Sequence, residues 1–379
     1  MYLQRLSLRA FRNYVEQSVN FEAQKTILVG NNAQGKSNLL EAVELLATLK
    51  SHRALKDREL VKEGAEAGQI LATVDRAYGS AELAMTLRTS GRRTIALNGE
   101  GLRRHIDLLG TVNAVQFSSL DLELVRGSPE SRRTWIDTLL FQLEPIYARI
   151  LQEYYQVLKQ RNALLKSLYK SESQSPDSIA DQLTQLRLWD EQLATTGSRV
   201  TRRRSRVLKR LAPLAGDIHG DISGGSETLD ITYRPNVPWT EDDPEQVQQA
   251  FLAKLEQRRF VEQQRATTLV GPHRDEIELA IDGTTAKAYG SQGQQRTLVL
   301  ALKLAELKLI EEVVGEPPLL LLDDVLAELD PQRQNQLLEA IQDRFQTLIT
   351  TTHIHSFDAQ WLKASQILTV AAGTIHTYP

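Results

Sequence analysis

The chain has no cysteine among its 379 residues. That excludes disulfides and thiolate metal sites, and a reducing cytoplasm is the expected compartment. Long apolar runs are missing too, none reaching the roughly 18 residues of a membrane span. The opening Met1-Tyr2-Leu3-Gln4-Arg5-Leu6 lacks the continuous apolar core of a signal peptide. Neither sign of charge dominates, because 45 Lys and Arg stand against 48 Asp and Glu, for a formal net charge of −3. Any nucleic-acid binding must therefore use local basic patches on a nearly neutral body. No internal repeat, sustained heptad pattern or Cys-x-x-Cys hook occurs, so a long coiled-coil arm does not fit. An Asn-Lys-x-Asp guanine-reading motif is absent, which disfavours a GTPase. No helix-turn-helix or zinc-finger pattern is found, so any DNA recognition should be of structure and not of base sequence.

What is present begins at residue 30. Gly30, Asn31, Asn32, Ala33, Gln34, Gly35, Lys36 and Ser37 make a complete Walker A loop directly after the apolar run Thr26-Ile27-Leu28-Val29. A strand ending in such a loop aims backbone N–H groups at one point, and the helix that follows adds its positive dipole end. Lys36 would reach the β- and γ-phosphates, and the Ser37 hydroxyl would ligate Mg²⁺. Leu39, Leu40, Val43, Leu46 and Ala47 fall on one face of the expected helix. The chain is read as binding a nucleoside triphosphate.

The second landmark is Leu319-Leu320-Leu321-Leu322 running into Asp323-Asp324. Four apolar residues closed by a carboxylate suit a buried parallel strand with a Walker B end. Asp323 would hold magnesium through water, and Asp324 would polarise the attacking water. Asp330-Pro331 then reads as a helix start, with a side-chain cap and a ring whose φ is preset. One strand later His353 stands where a γ-phosphate sensor would be useful. Ser291-Gln292-Gly293-Gln294-Gln295 opens another helix and forms a second anion site. One nucleotide rarely needs two such helix starts, so this one is expected to grip the γ-phosphate of ATP held by another copy.

The order of these motifs, with Gln116 ending a strand between them, resembles that of the ATP-binding-cassette ATPases. Within that class the chain is similar, end to end, to the RecF family of the RecF/SMC/Rad50 class. The resemblance rests on Phe11-Arg12-Asn13-Tyr14, residues 30–37, Gly127-Ser128-Pro129 with Arg132-Arg133, and Gly271-Pro272-His273-Arg274-Asp275. It continues through the Ser291 loop and Leu322-Asp323-Asp324-Val325-Leu326. It implies an α/β fold: an ABC-type ATPase head, with a mixed sheet around a P-loop core plus an antiparallel β subdomain, carrying an inserted, mostly helical lobe. It further implies that Arg12 and Asn13 join the nucleotide site and that Gln116 is the magnesium-coupled Q-loop glutamine. Ser291, Gln292, Gly293 and Gln294 would be the signature acting in trans, Asp330 the D-loop residue, and His353 the switch. Two positions depart from the general cassette pattern: the signature reads Ser-Gln-Gly-Gln-Gln, and the catalytic position is Asp324 instead of glutamate. The shorter acid suggests slow hydrolysis.

The head is expected over residues 1–125 and 266–379 and the helical lobe over 126–265. Alternating segments at residues 69–74, 81–88 and 93–97 lead to the hairpin turn Asn98-Gly99, and Asp282-Gly283 is a second such turn. Residues 171–176 read as an exposed polar loop. Arg199, Arg202, Arg203, Arg204, Arg206, Lys209 and Arg210 have no acid between them and are candidates for contacting duplex phosphates. On a helix they would spread around much of the circumference, which leaves open a solvated face paired with distant acids. Arg92-Arg93, Arg103-Arg104 and Arg132-Arg133 are further candidates. The resemblance implies a cytoplasmic, DNA-stimulated weak ATPase with ATP and Mg²⁺ as cofactors and no membrane contact. It would dimerise on ATP and bind double-stranded DNA and single-strand/double-strand junctions. With RecO- and RecR-type mediators it would load recombinase, supporting replication restart and the SOS response. The alternative is the ATPase subunit of a membrane transporter.

Overall fold

The computed structural model describes residues 1–170, 176–341, 344–354, 357 and 359–378. Residues 171–175 of the expected polar loop lie outside them, and Pro176 begins a helix. The chain divides into two compact units. One comprises residues 1–122, 214–227 and 291–379; the other comprises residues 123–213 and 228–290.

The first unit opens with β1 (Tyr2–Phe11), β2 (Tyr14–Asn20) and β3 (Lys25–Val29), followed by α1 (Lys36–Thr48). Next come β4 (Ala67–Arg76), β5 (Gly79–Arg88), β6 (Thr94–Leu97), β7 (Glu100–Gly101) and β8 (Ala114–Ser118). The second unit contains α2 (Glu123–Arg126), α3 (Pro129–Leu143), α4 (Ile146–Tyr169) and most of α5 (Pro176–Ser223). It continues with β9 (Leu229–Arg234), α6 (Pro244–Arg265), β10 (Glu276–Ile281), β11 (Thr284–Thr285) and α7 (Ala286–Tyr289). The chain then returns to the first unit with α8 (Gln292–Val314), β12 (Leu319–Asp323), α9 (Pro331–Ile341) and β13 (Thr347–Thr351). It ends with α10 (Ala359–Lys363), β14 (Ser365–Ala371) and β15 (Thr374–Thr377).

Two six-stranded sheets build the first unit. One is antiparallel, in the order β2-β1-β4-β5-β6-β7. The other runs β15-β14-β3-β13-β12-β8, parallel except for β15 at its edge. The parallel strands read as continuous apolar runs because both faces are covered. All four leucines of residues 319–322 are buried to 1% exposure or less. A single apolar cluster joins the sheets, with Leu6, Leu8 and Ile70 from one, Leu321 and Leu348 from the other, and Leu39, Leu40 and Val43 of α1. Truncating one such leucine to alanine would cost about 2–5 kcal/mol. The Asn98-Gly99 and Asp282-Gly283 turns form as expected, with φ of 52° and 81° in one and 50° and 73° in the other.

The units differ from the expected boundaries in three places, the first being that residues 123–125 fall in the second unit. Residues 266–290 belong with the helices because β10 pairs along its length with β9. Residues 214–227 belong with the sheets, where Gln336 Nε2 donates to Ile222 O and Gln294 Nε2 to Glu227 Oε1. The division falls inside α5 at Pro213, an interior proline that has no N–H for the helical ladder. The architecture is α/β, with a mixed sheet at its core, an antiparallel subdomain and an inserted helical lobe.

Candidate functional site

Strand β3 delivers the chain into residues 30–35, and α1 carries it away. Gly35 precedes the helix at φ +118°, a conformation that an L side chain rarely adopts. A Cβ on Gly30 would stand 2.2 Å from Val370 O of β14, so only glycine fits between these strands. The loop is braced from outside: Tyr14 Oη donates to Gly35 O (2.9 Å), and Asn13 Nδ2 donates to Gln34 O (2.8 Å). Asn13 Oδ1 accepts from Asn38 Nδ2 of α1 (2.8 Å). Arg12 turns elsewhere, forming a two-pronged pair with the buried Glu41 (2.7 and 2.8 Å) and donating to Glu59 O (2.8 Å). Asn13 therefore braces the loop from behind, whereas Arg12, expected at the nucleotide site, instead ties α1 to the segment around Glu59. Lys36 is buried within the loop, its ammonium donating to Gly30 O (2.8 Å) and Asn31 O (3.0 Å).

Parallel register brings the two Walker segments together. Strand β13 lies between β3 and β12, and the ends of all three align. Ser37 Oγ donates to Asp323 Oδ1 (2.7 Å), and Thr350 Oγ1 donates to the same oxygen (2.8 Å). Thr350 Oγ1 also accepts from Asp324 N (2.9 Å), which holds Asp324 at φ 54°. Burial, reinforced by neighbouring Asp323 and opposed by Lys36, pushes the Asp324 carboxyl above its ordinary value. A carboxylate so raised is a better proton acceptor. On β8, Ser118 stands opposite Asp323, and Gln116 points to the same face two residues earlier. Gln116 Nε2 lies 3.3 Å from His52 Nε2, and the buried Gln116 Oε1 has no hydrogen-bond partner among the described residues. Ser37, Asp323 and Lys36 thus come together at one end of the parallel sheet, with Gln116 on the adjoining β8.

Ser291 caps α8. Its hydroxyl accepts from Gln294 N (3.2 Å), and Gln294 Oε1 accepts from Ser291 N (2.8 Å), a reciprocal capping box. The Ser291 hydroxyl is thus engaged within its own helix start. Gly293 is packed close to Arg333, with 3.3 Å between a notional Cβ and the guanidinium. Asp330 caps α9 by accepting from Arg333 N (3.0 Å). That backbone bond, with the paired Arg333 guanidinium, holds its carboxyl below the ordinary value. His353 follows β13 and is exposed, its backbone N–H bonded to Thr351 Oγ1 (3.1 Å).

The arginine run of α5 requires a correction. Arg204 is fully buried, paired through two bonds with Asp137 (both 2.8 Å) and donating to Pro272 O (2.7 Å). Arg202 and Arg206 share Asp242, and Arg203 pairs with Glu144. Arg204 is thereby withdrawn from the surface, and Arg202, Arg203 and Arg206 each meet an acid far off in sequence, which leaves them fewer donors for a phosphate. The first unit offers the contrast. Lys56, Arg58, Arg88, Arg92, Arg103 and Arg104 are exposed, and none takes part in an ion pair among the described residues. Arg93 ties their loops together by pairing with Asp57 and donating to Leu49 O (2.9 Å). Leu102 N donates to Ile95 O (2.8 Å), which carries Arg103 and Arg104 back alongside the start of β6. Thr350, Asn38 and His52 join the site without having been foreseen. Only the pairing of β12 with β13 points to Thr350, and no local pattern marks the other two.

A family model described as RecF/RecN/SMC N terminal domain matches residues 2–375. The DNA replication and repair protein RecF of Gloeothece citriformis is 72% identical over 384 residues, with both chains covered in full. That of Rippkaea orientalis is 70% identical over 378 residues, covering 99% of this chain and all of the relative. A solved structure of the recombination mediator protein RecF-ATPrS in the RecFOR pathway matches with TM-score 0.90 at 31% identity. It covers 100% of this chain and 98% of its own. The Smc head domain of Pyrococcus furiosus bound to the C-terminal domain of ScpA matches with TM-score 0.54 at 15% identity. It covers 100% of this chain and 96% of its own, a likeness of fold alone. The alternative of a transporter subunit finds no support among these relatives.

Proposed function

The chain belongs to the RecF family of DNA replication and repair proteins, and from that premise we propose an ATP-dependent DNA-binding ATPase of recombinational repair. The observation that carries the reading is the bond from Ser37 to Asp323 beside the loop-bound Lys36. Residues 30–37 would cradle the ATP phosphates, with Asn13 bracing the loop and Arg12 holding α1 through Glu41. Ser37, Asp323 and Gln116 offer hydroxyl, carboxylate and amide oxygens, the hard donors that Mg²⁺ takes. The unpartnered, buried Gln116 Oε1 fits that role. Bound there, the cation would neutralise charge on the phosphate oxygens. Asp324 would orient the attacking water and take its proton.

Dimerisation on ATP follows if Ser291, Gln292, Gly293 and Gln294 of a second copy close on the γ-phosphate, with Asp330 and His353 lining the shared site. In the capping box the Ser291 hydroxyl oxygen only accepts, which leaves its O–H and the adjacent N–H groups at the start of α8 to donate to an anion. ADP lacks that phosphate, so the clamp would reopen after hydrolysis. Double-stranded DNA, including junctions with single strands, is assigned to the exposed cations around β6 in preference to the run of α5, where Arg202, Arg203, Arg204 and Arg206 are paired with acids. RecO- and RecR-type mediators, recombinase loading, replication restart, the SOS response and a cytoplasmic setting come from the family. Among the described residues no helix is long and apolar enough to cross a membrane.

The test is ATP turnover with and without duplex DNA, beside two variants. Duplex should stimulate the wild type, Lys36→Ala should lose nucleotide binding while remaining folded, and Asp324→Asn should bind ATP and accumulate as a dimer. Normal nucleotide affinity in Lys36→Ala, or turnover indifferent to duplex, would overturn the reading.

A further inference from the structure

His52 lies just beyond α1, where two groups of opposite demands hold its ring. On one side Glu44 Oε2 meets His52 Nδ1 at 2.6 Å and His52 N at 3.4 Å. An ionised carboxylate only accepts, so Nδ1 carries the proton. On the other side the ring's Nε2 lies 3.3 Å from Gln116 Nε2. Two nitrogens at that separation are compatible only if one accepts. In the neutral ring, with the proton held at Nδ1, that acceptor is His52 Nε2, and Gln116 must turn its NH₂ toward it. The carboxamide oxygen then faces away from the ring, and it is this atom that is buried without a hydrogen-bond partner among the described residues. A proton on His52 Nε2 would demand the opposite amide orientation and present N–H groups to the site. Such groups cannot ligate a cation.

We propose that His52 is a positioning residue for Gln116: relayed by Glu44, it locks the carboxamide with its oxygen available to the magnesium side of the nucleotide site. The inference rests on the nucleotide-binding reading above. It assigns to Glu44 and His52 the outer-shell role that commonly fixes the orientation of a metal ligand.

The test titrates a fluorescent ATP analogue with and without Mg²⁺ into the wild type, His52→Gln, His52→Phe and His52→Lys. The glutamine side chain can donate to Glu44 and accept from Gln116, whereas phenylalanine does neither and lysine only donates. Affinity without Mg²⁺ should be alike in all four. The gain on adding Mg²⁺ should survive in His52→Gln and fall by roughly tenfold or more in His52→Phe and His52→Lys. An equal gain in all four would overturn the proposal. A common loss of Mg²⁺-free affinity in the three variants would also overturn it, by assigning His52 to the shape of the loop. A second arm needs no nucleotide: ¹⁵N NMR of the wild type in mildly alkaline buffer should place the His52 proton on Nδ1, and a proton on Nε2 would sink the idea. A wild type that binds no nucleotide would instead refute the function proposed above, while the NMR result would still decide the tautomer.

Discussion

Helix α5 and the loops around β6 are both rich in arginine, and they use it in opposite ways. In α5 the guanidiniums of Arg202, Arg203, Arg204 and Arg206 each find a carboxylate, and Arg204 lies wholly inside the helical unit. Around β6 the cations are fewer in any one stretch of sequence, yet Lys56, Arg58, Arg88, Arg92, Arg103 and Arg104 stay exposed, with no ion pair among the described residues. Linear charge density is therefore a poor guide to a polyanion surface. What decides is whether the fold brings acids to the same place. A neutralised guanidinium has few donors left for a phosphate, whereas a cluster of like charges stabilises nothing locally and is best relieved by an anionic partner.

The largest effect is expected where that contrast is sharpest. Arg204 faces Asp137 and, at 3.5 Å, Asp275, both buried. Arg204→Met would leave these acids without their cation and should destabilise the protein by about 3–5 kcal/mol. Urea unfolding measures this. A loss below about 1 kcal/mol would mean that the buried pair is not what holds this part of the helical unit together.

The same network makes a pH prediction. Burial is the main cause that drives the His273 imidazole down to about 4, helped by Arg274, Arg133 and Arg204 and opposed by the Thr268 backbone. Its Nε2–H donates to Thr268 O (3.2 Å), and its Nδ1 accepts from Tyr154 Oη (2.6 Å), a neutral tautomer. The folded pKa thus lies below the unfolded value of 6.5, and between the two the unfolded chain binds more protons. Stability should therefore fall as pH drops from about 6.5 toward 4, by up to roughly 3 kcal/mol from this group. His273→Gln should flatten that part of the stability curve. An unchanged slope would show that His273 does not stay neutral in the fold.

What could be read in advance follows the same physics. The Walker A loop, the leucine strand with its two acids, the Asp330 cap and both hairpin turns depend on interactions within a few residues, so local patterns reveal them. Thr350 and His52 arrive from another strand and a loop, and only the assembled sheet places them. The partners of the arginine run are equally remote, with Asp242 lying 40 residues beyond Arg202 and Asp137 67 residues before Arg204. Helical periodicity ends the second lobe too early because β10 belongs to the sheet begun by β9, a pairing that bridges α6.

The assignment of DNA to the β6 loops is open to a direct challenge. Replacing Arg88, Arg92, Arg103 and Arg104 with glutamine should weaken duplex binding. It should also reduce the slope of log affinity against log salt by about 0.9 for each phosphate left without its arginine. Folding should be untouched, because these side chains are exposed and pair with nothing in the described residues. If affinity and slope both match the wild type, duplex lies on another surface.

The smallest effect should come from the exposed part of the arginine run, and its smallness is the point. Arg202 and Arg206 share Asp242, whose carboxyl burial would raise; the hydrogen bonds and charges of the two guanidiniums outweigh that and hold it below the ordinary range. Arg206 is exposed and Asp242 half-buried, with side-chain exposures of 56% and 32%, so water and salt screen that pair, while Arg202 is more covered at 14%. Exposed pairs of this kind contribute about 0–1 kcal/mol. The double variant Arg202→Gln with Arg206→Gln should therefore unfold within about 1 kcal/mol of the wild type, and duplex affinity and its salt slope should not change. Because Asp242 loses both cations at once, the variant also adds one unpaired negative charge, which a DNA phosphate nearby would sense as repulsion. A marked fall in duplex affinity, or a shallower salt slope, would place DNA against α5 after all and reverse the comparison between the two regions.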